Sequence, residues 1–292
     1  MIRDWNVSFD ISIDKDVNMS RAAYPTDLSD SQWALLEPFM PKSKPLGRNI
    51  EVNLREVVNA ILYINRAGCQ WDMLPHDFPN YKTVNWYYNE WRRSGLWEQI
   101  MTGLREAVRR QAGRNEEPTV ACIDSQTAKT ADQGGEVGYD GGKRANGRKR
   151  HIVTDVLGLI LIVCVTAANV QDAAAADPVL RRLNKDFQTI ELVHADLGYR
   201  GDLVRMVARE LRFALNFSSK PEGMKGFHPL RQRWVVERTF AWFNRYRRLN
   251  RDVERTTDSS ENMIRISQIQ LMLNRLAPKH PQPTFHYKKS YV

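Results

Sequence analysis

Near Thr119 the spacing of apolar residues changes from helical to strand-like, and few architectures accommodate both halves of such a chain. Downstream, Thr119 to Asp124 is a short apolar run, and Ile152 to Val156 with Leu159 to Thr166 reads as a hairpin around Gly158. Ile190 to Ala195 is a further run, preceded by a helical stretch from Asp172 to Asn184. A helix from about Gly201 to Leu211, a strand from Phe213 to Phe217 and a long helix from about Leu230 follow. The order strand, hairpin, helix, strand, helix, strand, helix predicts a mixed α/β sheet with helices on its faces. The longest apolar stretch, Val156 to Ala168, is too short to span a bilayer and rich in β-branched residues. It reads as a buried strand.

Upstream the signals are helical. Ser29-Asp30-Ser31-Gln32 looks like a capping box that opens a short helix with Trp33, Leu36 and Phe39 on one side. After a Pro/Lys/Gly linker from Pro41 to Gly47, Leu54, Val57, Val58, Ile61 and Ile64 recur at helical spacing, and Gly68 suits the stop. A third helix runs from about Tyr81 to Ser94 and a fourth from about Leu96 to Arg110. The third carries Trp86, Tyr87, Tyr88, Trp91, Arg92 and Arg93. A basic, aromatic third helix suits a helix-turn-helix variant reading DNA, and the same aromatics suit the core of a small bundle. The two readings are compatible on different faces.

The 292 residues suffice for a large domain and a smaller one, each with its own core. The expected division is a disordered lead-in or start-site extension over 1–23, a helical DNA-binding domain over 24–115, a catalytic domain over 116–278 and a tail over 279–292. The first residues carry acids where a signal peptide needs an apolar run. Three scattered cysteines, Cys69, Cys122 and Cys164, argue against a disulfide framework and fit a reducing cytoplasm. A formal charge of +9 points weakly to a polyanionic partner.

Three carboxylates stand out. Asp124 closes the first predicted strand and Asp196 follows the strand ending at Ala195. If those strands are neighbours, their carboxylates meet at one sheet edge, where open α/β sheets gather ligands. A helix should supply a third carboxylate. At about 100° per residue, Glu237 shares a narrow face with Arg233, Ala241, Asn244 and Arg248, away from Val235, Trp242 and Tyr246. Hard divalent cations such as Mg²⁺ take oxygen ligands and keep several waters, so two or three carboxylates suffice. Two such ions about 4 Å apart can activate a nucleophile and steady the departing oxygen of a phosphodiester. Singly, each acid is an ordinary turn former or surface ion-pair partner. Their succession on strand, strand and helix carries the specificity.

Other chemistries fit less well. The six histidines form no HExxH or Cys/His zinc pattern. The segment from Gly134 to Gly147 is not a P-loop, having Val137 in place of the first glycine and Arg144 after Lys143. It reads as a flexible basic loop before a strand. Two basic runs supply candidate phosphate contacts: Lys143, Arg144, Arg148, Lys149 and Arg150, then Arg231, Arg233, Arg238, Arg245, Arg247, Arg248, Arg251 and Arg255.

The blocks YPTDLSDSQWALLEPFMP, GCQWDMLPHDFPNYKTVNWYYNEW, CIDSQTAKT, GRKRHIVTDVLGLIL, HADLGYRG and RWVVERTFAWFNRYRRL, spread over residues 24 to about 276, resemble bacterial insertion-sequence transposases of the DDE class. That resemblance implies an RNase H-like mixed sheet with flanking helices, preceded by a small all-helical, helix-turn-helix-like domain. It also implies that Asp124, Asp196 and Glu237 are catalytic and bind metal, with two Mg²⁺ or Mn²⁺ ions per site. Water and then a 3′-hydroxyl would attack phosphodiesters. Arg233 matches the arginine before the glutamate in the family signature. Leu230 and Asn244 stand where the signature has tyrosine and lysine, and Arg245 or Arg248 could substitute as a phosphate contact. The implied partners are double-stranded DNA, at transposon ends and target, and further copies of the chain in a homodimer or higher synaptic assembly in a bacterial cytoplasm. The rival expectations are a catalytically inactive relative acting as a DNA-binding repressor, and a metal-dependent nuclease without strand transfer.

Overall fold

The computed structural model describes residues 21–42, 50–131, 135–217 and 234–279. Its N-terminal part is helical. α1 (Asp30–Leu36) starts in the expected capping box: Ser29 Oγ accepts from the Gln32 amide at 3.2 Å and Gln32 Oε1 from the Ser29 amide at 3.3 Å. α2 (Leu54–Ala67) is capped by Asn53 and closed by Gly68 at φ 76°. A Cβ on Gly68 would lie 2.8 Å from Cβ of Arg247, so the glycine serves both the left-handed turn and a close approach. α3 (Tyr81–Arg93) and α4 (Leu96–Gln111) join through Gly95, also left-handed.

The remainder forms the mixed sheet expected from the sequence. β1 (Val120–Lys129) pairs antiparallel with β3 (Ala145–Asp155), whose other edge takes β4 (Ile160–Ala167) and, at its start, the short β2 (Gly138–Asp140). On the opposite side β1 pairs parallel with β5 (Leu192–Ala195), and β5 with β6 (Ala214–Phe217). The crossovers are helical: α5 (Asp172–Asp186) links β4 to β5, and α6 (Asp202–Glu210) links β5 to β6. One face of the sheet packs on α5 and α6 through Ala121, Ile123, Val153, Leu180 and Val207. The other face packs through Cys122, Ile152 and Val163 on α7 (Trp234–Phe243) and α9 (Thr257–Leu276), beyond the short α8 (Arg247–Asn250).

Three expectations change. β1 runs past Asp124 to Lys129, because residues 125–129 keep β3 as a ladder partner. The expected loop over 134–147 contains β2 and the start of β3. Asp140 fixes this hairpin, accepting from Thr127 Oγ1 at 2.6 Å and the Lys143 amide at 3.0 Å. The long C-terminal helix is three. α7 ends at Phe243, and Tyr246 takes an extended backbone, buries its ring and donates its hydroxyl to the Ser267 carbonyl at 2.9 Å.

The helical N-terminal part and the sheet share a core. One continuous apolar cluster includes Leu36, Ile61, Trp97, Ile152, Phe243 and Ile266. α9 lies within it, packed on α4 and β4, and Gln32 of α1 donates to Asn274 and Ala277 at its end. The change from helices to strands near residue 115 is thus not a break in the core.

Candidate active site

Two of the three carboxylates follow the same end of one parallel strand pair. In the parallel β1–β5 pair, Cys122 lies opposite His194. Two residues beyond that last pair stand Asp124, still within β1, and Asp196, just past the end of β5. Alternation from Cys122 and Ile152 puts Asp124 on the face covered by α7 and α9. Beyond Cys122 the ladder to β5 ends while β1 continues on β3 alone. Asp124 Oδ1 accepts from the Ser125 amide at 2.8 Å. Asp196 caps the single turn Leu197–Tyr199, accepting from the Leu197 amide at 2.6 Å. Both side chains are half-buried.

Glu237 is exposed on α7, as its helical face predicts. The helix packs over β1 and β3, burying Val236, Thr239, Phe240 and Phe243. Thr239 Oγ1 donates to the Gly158 carbonyl at 3.0 Å, and Arg238 to that of Leu157 at 3.2 Å. Among the described residues no three His, Cys, Asp or Glu side chains are gathered at metal-ligand spacing. Asp124 and Asp196 follow the last pair of the β1–β5 ladder, and the glutamate stands on α7, which packs over β1 and β3. Carboxylate oxygens are the donor type that a hard divalent cation takes, with water filling its remaining positions.

Comparison with known proteins decides the family. Residues 115–273, more than half of the chain, match the family model described as a transposase DDE domain. The chain belongs to the DDE transposase family. Residues 28–101 match a putative transposase of the IS4/5 family. A putative transposase for insertion sequence element IS402 from Burkholderia cepacia is 35% identical over 119 residues, 38% of this chain and 56% of that protein. The uncharacterized protein y4sN of Sinorhizobium fredii is 31% identical over 81 residues, 27% of this chain and 65% of that one. A 16.2 kDa protein of IS402 is 25% identical over 118 residues, 38% of this chain and 78% of its own length. The chain therefore spans just over half the length of the first relative and under two thirds of the second. The mixed sheet of this DDE transposase family member, with its flanking helices, agrees with the RNase H-like expectation.

The basic residues sort differently from their sequence runs. Arg148 and Arg150 lie on β3, on the face of Asp124, and both are fully buried. Arg148 Nη1 pairs with Asp252 at 3.0 Å and donates to the Glu254 carbonyl at 2.7 Å, and Arg150 Nη1 donates to that of Leu249 at 2.7 Å. Arg248 is buried, 2.6 Å from Glu254, and its guanidinium lies over the Trp71 ring. It is on α8, not on the helix of Glu237. All three guanidiniums are buried, against the exposure expected of phosphate contacts; Arg148 and Arg248 are held by several protein acceptors, whereas Arg150 Nε and Nη2 have no hydrogen-bond partner among the described residues. Lys149 is half-buried, donating to the Val170 carbonyl at 2.9 Å. Arg92 pairs with Asp258 at the start of α9, and exposed Arg93 pairs with Glu90. Arg238 is half-buried over Trp242, whereas Lys143, Arg144 and Arg245 are exposed. Arg231 and Arg233 lie outside the described residues.

Sequence reasoning missed the polar cluster on the other face of β1. Ser125 Oγ donates to Asp172 Oδ1 at 2.9 Å, and Lys149 Nζ lies 3.2 Å from the same oxygen. Tyr199 is buried nearby; burial pushes its phenol pKa up, and the carboxylates of Asp124, Asp172 and Asp196 add to the rise. His151, opposite Ser125 on β3, is held neutral by burial with a pKa pushed down to about 4. Nothing in the sequence marked Asp172 beyond its place in the first turn of a predicted helix.

Proposed function

We propose that this DDE transposase family member is the DNA-cutting and strand-joining enzyme of an insertion sequence, with Asp124, Asp196 and Glu237 as its metal-binding carboxylates. The place of Asp124 and Asp196, each two residues beyond the last paired residues of the parallel β1–β5 ladder, Cys122 and His194, carries this reading. The helix bearing Glu237 packs over β1 and β3.

Bound Mg²⁺ or Mn²⁺, two per site, would make a water and then a 3′-hydroxyl nucleophilic and offset charge on the departing oxygen. Asp124 would offer its carboxylate from β1, and Asp196 from the cap of the turn that follows β5. Glu237, on a helix anchored by Val236, Thr239 and Phe240, would complete the set from the open side. Lys143 and Arg144 on the β2–β3 hairpin, with Arg245 and Arg93, would contact phosphates, fixing DNA without reading sequence. Arg233 and Arg238 flank the proposed glutamate ligand and would serve the same strand. Transposon ends and target DNA would be brought together by a homodimer or larger assembly. No described helix is long and apolar enough to cross a membrane; the expected place of action is the bacterial cytoplasm, on the nucleoid.

Asp124→Asn should fold, bind transposon-end DNA and lose Mg²⁺-dependent nicking by at least about a thousandfold. Undiminished nicking by that variant would overturn the assignment. Joining of precut ends separates strand transfer from simple nuclease action.

A further inference from the structure

At Asp124, β1 has lost one of its two neighbours: its ladder to β5 ends at Cys122, and only β3 accompanies it further. A strand held on one side constrains its side chains less, yet a metal-binding carboxylate needs a fixed aim. The missing support is replaced at the next residue. Ser125 presents its amide to Asp124 Oδ1 at 2.8 Å and its hydroxyl to Asp172 Oδ1 at 2.9 Å. Asp172 is the first residue of α5, and Lys149 of β3 lies 3.2 Å from its carboxylate. Lys149 is itself held by the Val170 carbonyl at 2.9 Å. Four links thus join two strands and a helix directly behind Asp124. The hydroxyl-to-carboxylate bond is charge-assisted.

We propose that Asp172 is a positioning residue for Asp124: with Lys149 it fixes Ser125, and through Ser125 it aims the Asp124 carboxylate. This rests on the reading of Asp124 as a metal ligand. Partners behind a ligand typically account for about 10–100-fold in metal affinity. Asp172→Ala and Ser125→Ala should each weaken Mn²⁺ binding to the full chain about tenfold, read from the electron paramagnetic resonance signal of free Mn²⁺. The double variant should lose no more than either single one, since both break the same chain of contacts. Asp172→Asn, which keeps an acceptor for Ser125 but not the ion pair, should lose less. The thermal midpoint without metal should stay near that of the parent. If Asp172→Ala fails to fold, Ser125→Ala, which removes one oxygen, carries the same test. Parental Mn²⁺ affinity in the alanine variants, or losses that multiply in the double variant, would overturn the proposal. A parent that takes up no Mn²⁺, or an Asp124→Asn variant that binds it as the parent does, would instead overturn the carboxylate assignment, and the positioning role with it.

Discussion

The two ends of one hairpin strand use the same side chains in opposite ways. Lys143 and Arg144, at the β2–β3 turn, are exposed, while Arg148 and Arg150, a few residues along β3, are sealed beneath the segment from Leu249 to Arg255. Sequence places all four in one basic run. Strand alternation and the chain laid over one face of β3 separate them: positions 148 and 150 share the covered face and the turn escapes it. Charge density along a sequence thus locates cations without saying whether their partner is nucleic acid or the protein itself.

The sharpest way to break this contrast is Arg148→Ala. It removes the ion-pair partner of buried Asp252, and the loss of one member of a buried pair costs about 3–5 kcal/mol. Urea denaturation should show that loss, with DNA affinity of the remaining folded protein unchanged. A variant that keeps its stability and loses DNA binding would move Arg148 to the exposed class. His151 supplies a second test on the buried side. Its folded pKa lies near 4 against an ordinary 6.5, so the unfolded chain binds the extra proton between those values. Stability should therefore fall as pH drops from about 6.5 to about 4, and His151→Gln should flatten that part of the profile. A profile with the same slope in the variant would assign the effect elsewhere. The smallest change in stability, within about 0.5 kcal/mol, is expected from Lys143→Ala with Arg144→Ala. That pair should instead lower the slope of log affinity against log salt by about 2 on duplex DNA. An unchanged slope would remove the turn from the DNA-contacting surface.

Much of the fold was legible. The capping box at Ser29, the stop at Gly68 and the succession of apolar runs after Thr119 each have a local cause, and each element forms near its expected place. α9 was not separated from the helix before it because it buries most of its circumference, including Arg265, Ser267 and Gln268, and leaves no one-sided stripe. The break at Tyr246 was hidden for a related reason: it is set by a hydroxyl bond to Ser267, a residue of another helix. At the candidate site, the two aspartates were legible because each follows an apolar run. Asp172 was not, since its partners lie on β1 and β3, remote in sequence.

Local chemistry determined which segments are helix or strand, and drew attention to Asp124, Asp196 and Glu237, because periodicity and capping act over a few neighbouring residues. Tertiary structure alone decided that β1 and β5 are neighbours in register and that Arg148, Arg150 and Arg248 serve the interior. It also set Ser125 and Asp172 together behind Asp124. Those outcomes depend on strand pairing and on the enclosure of charge by distant backbone, interactions that no window of sequence contains.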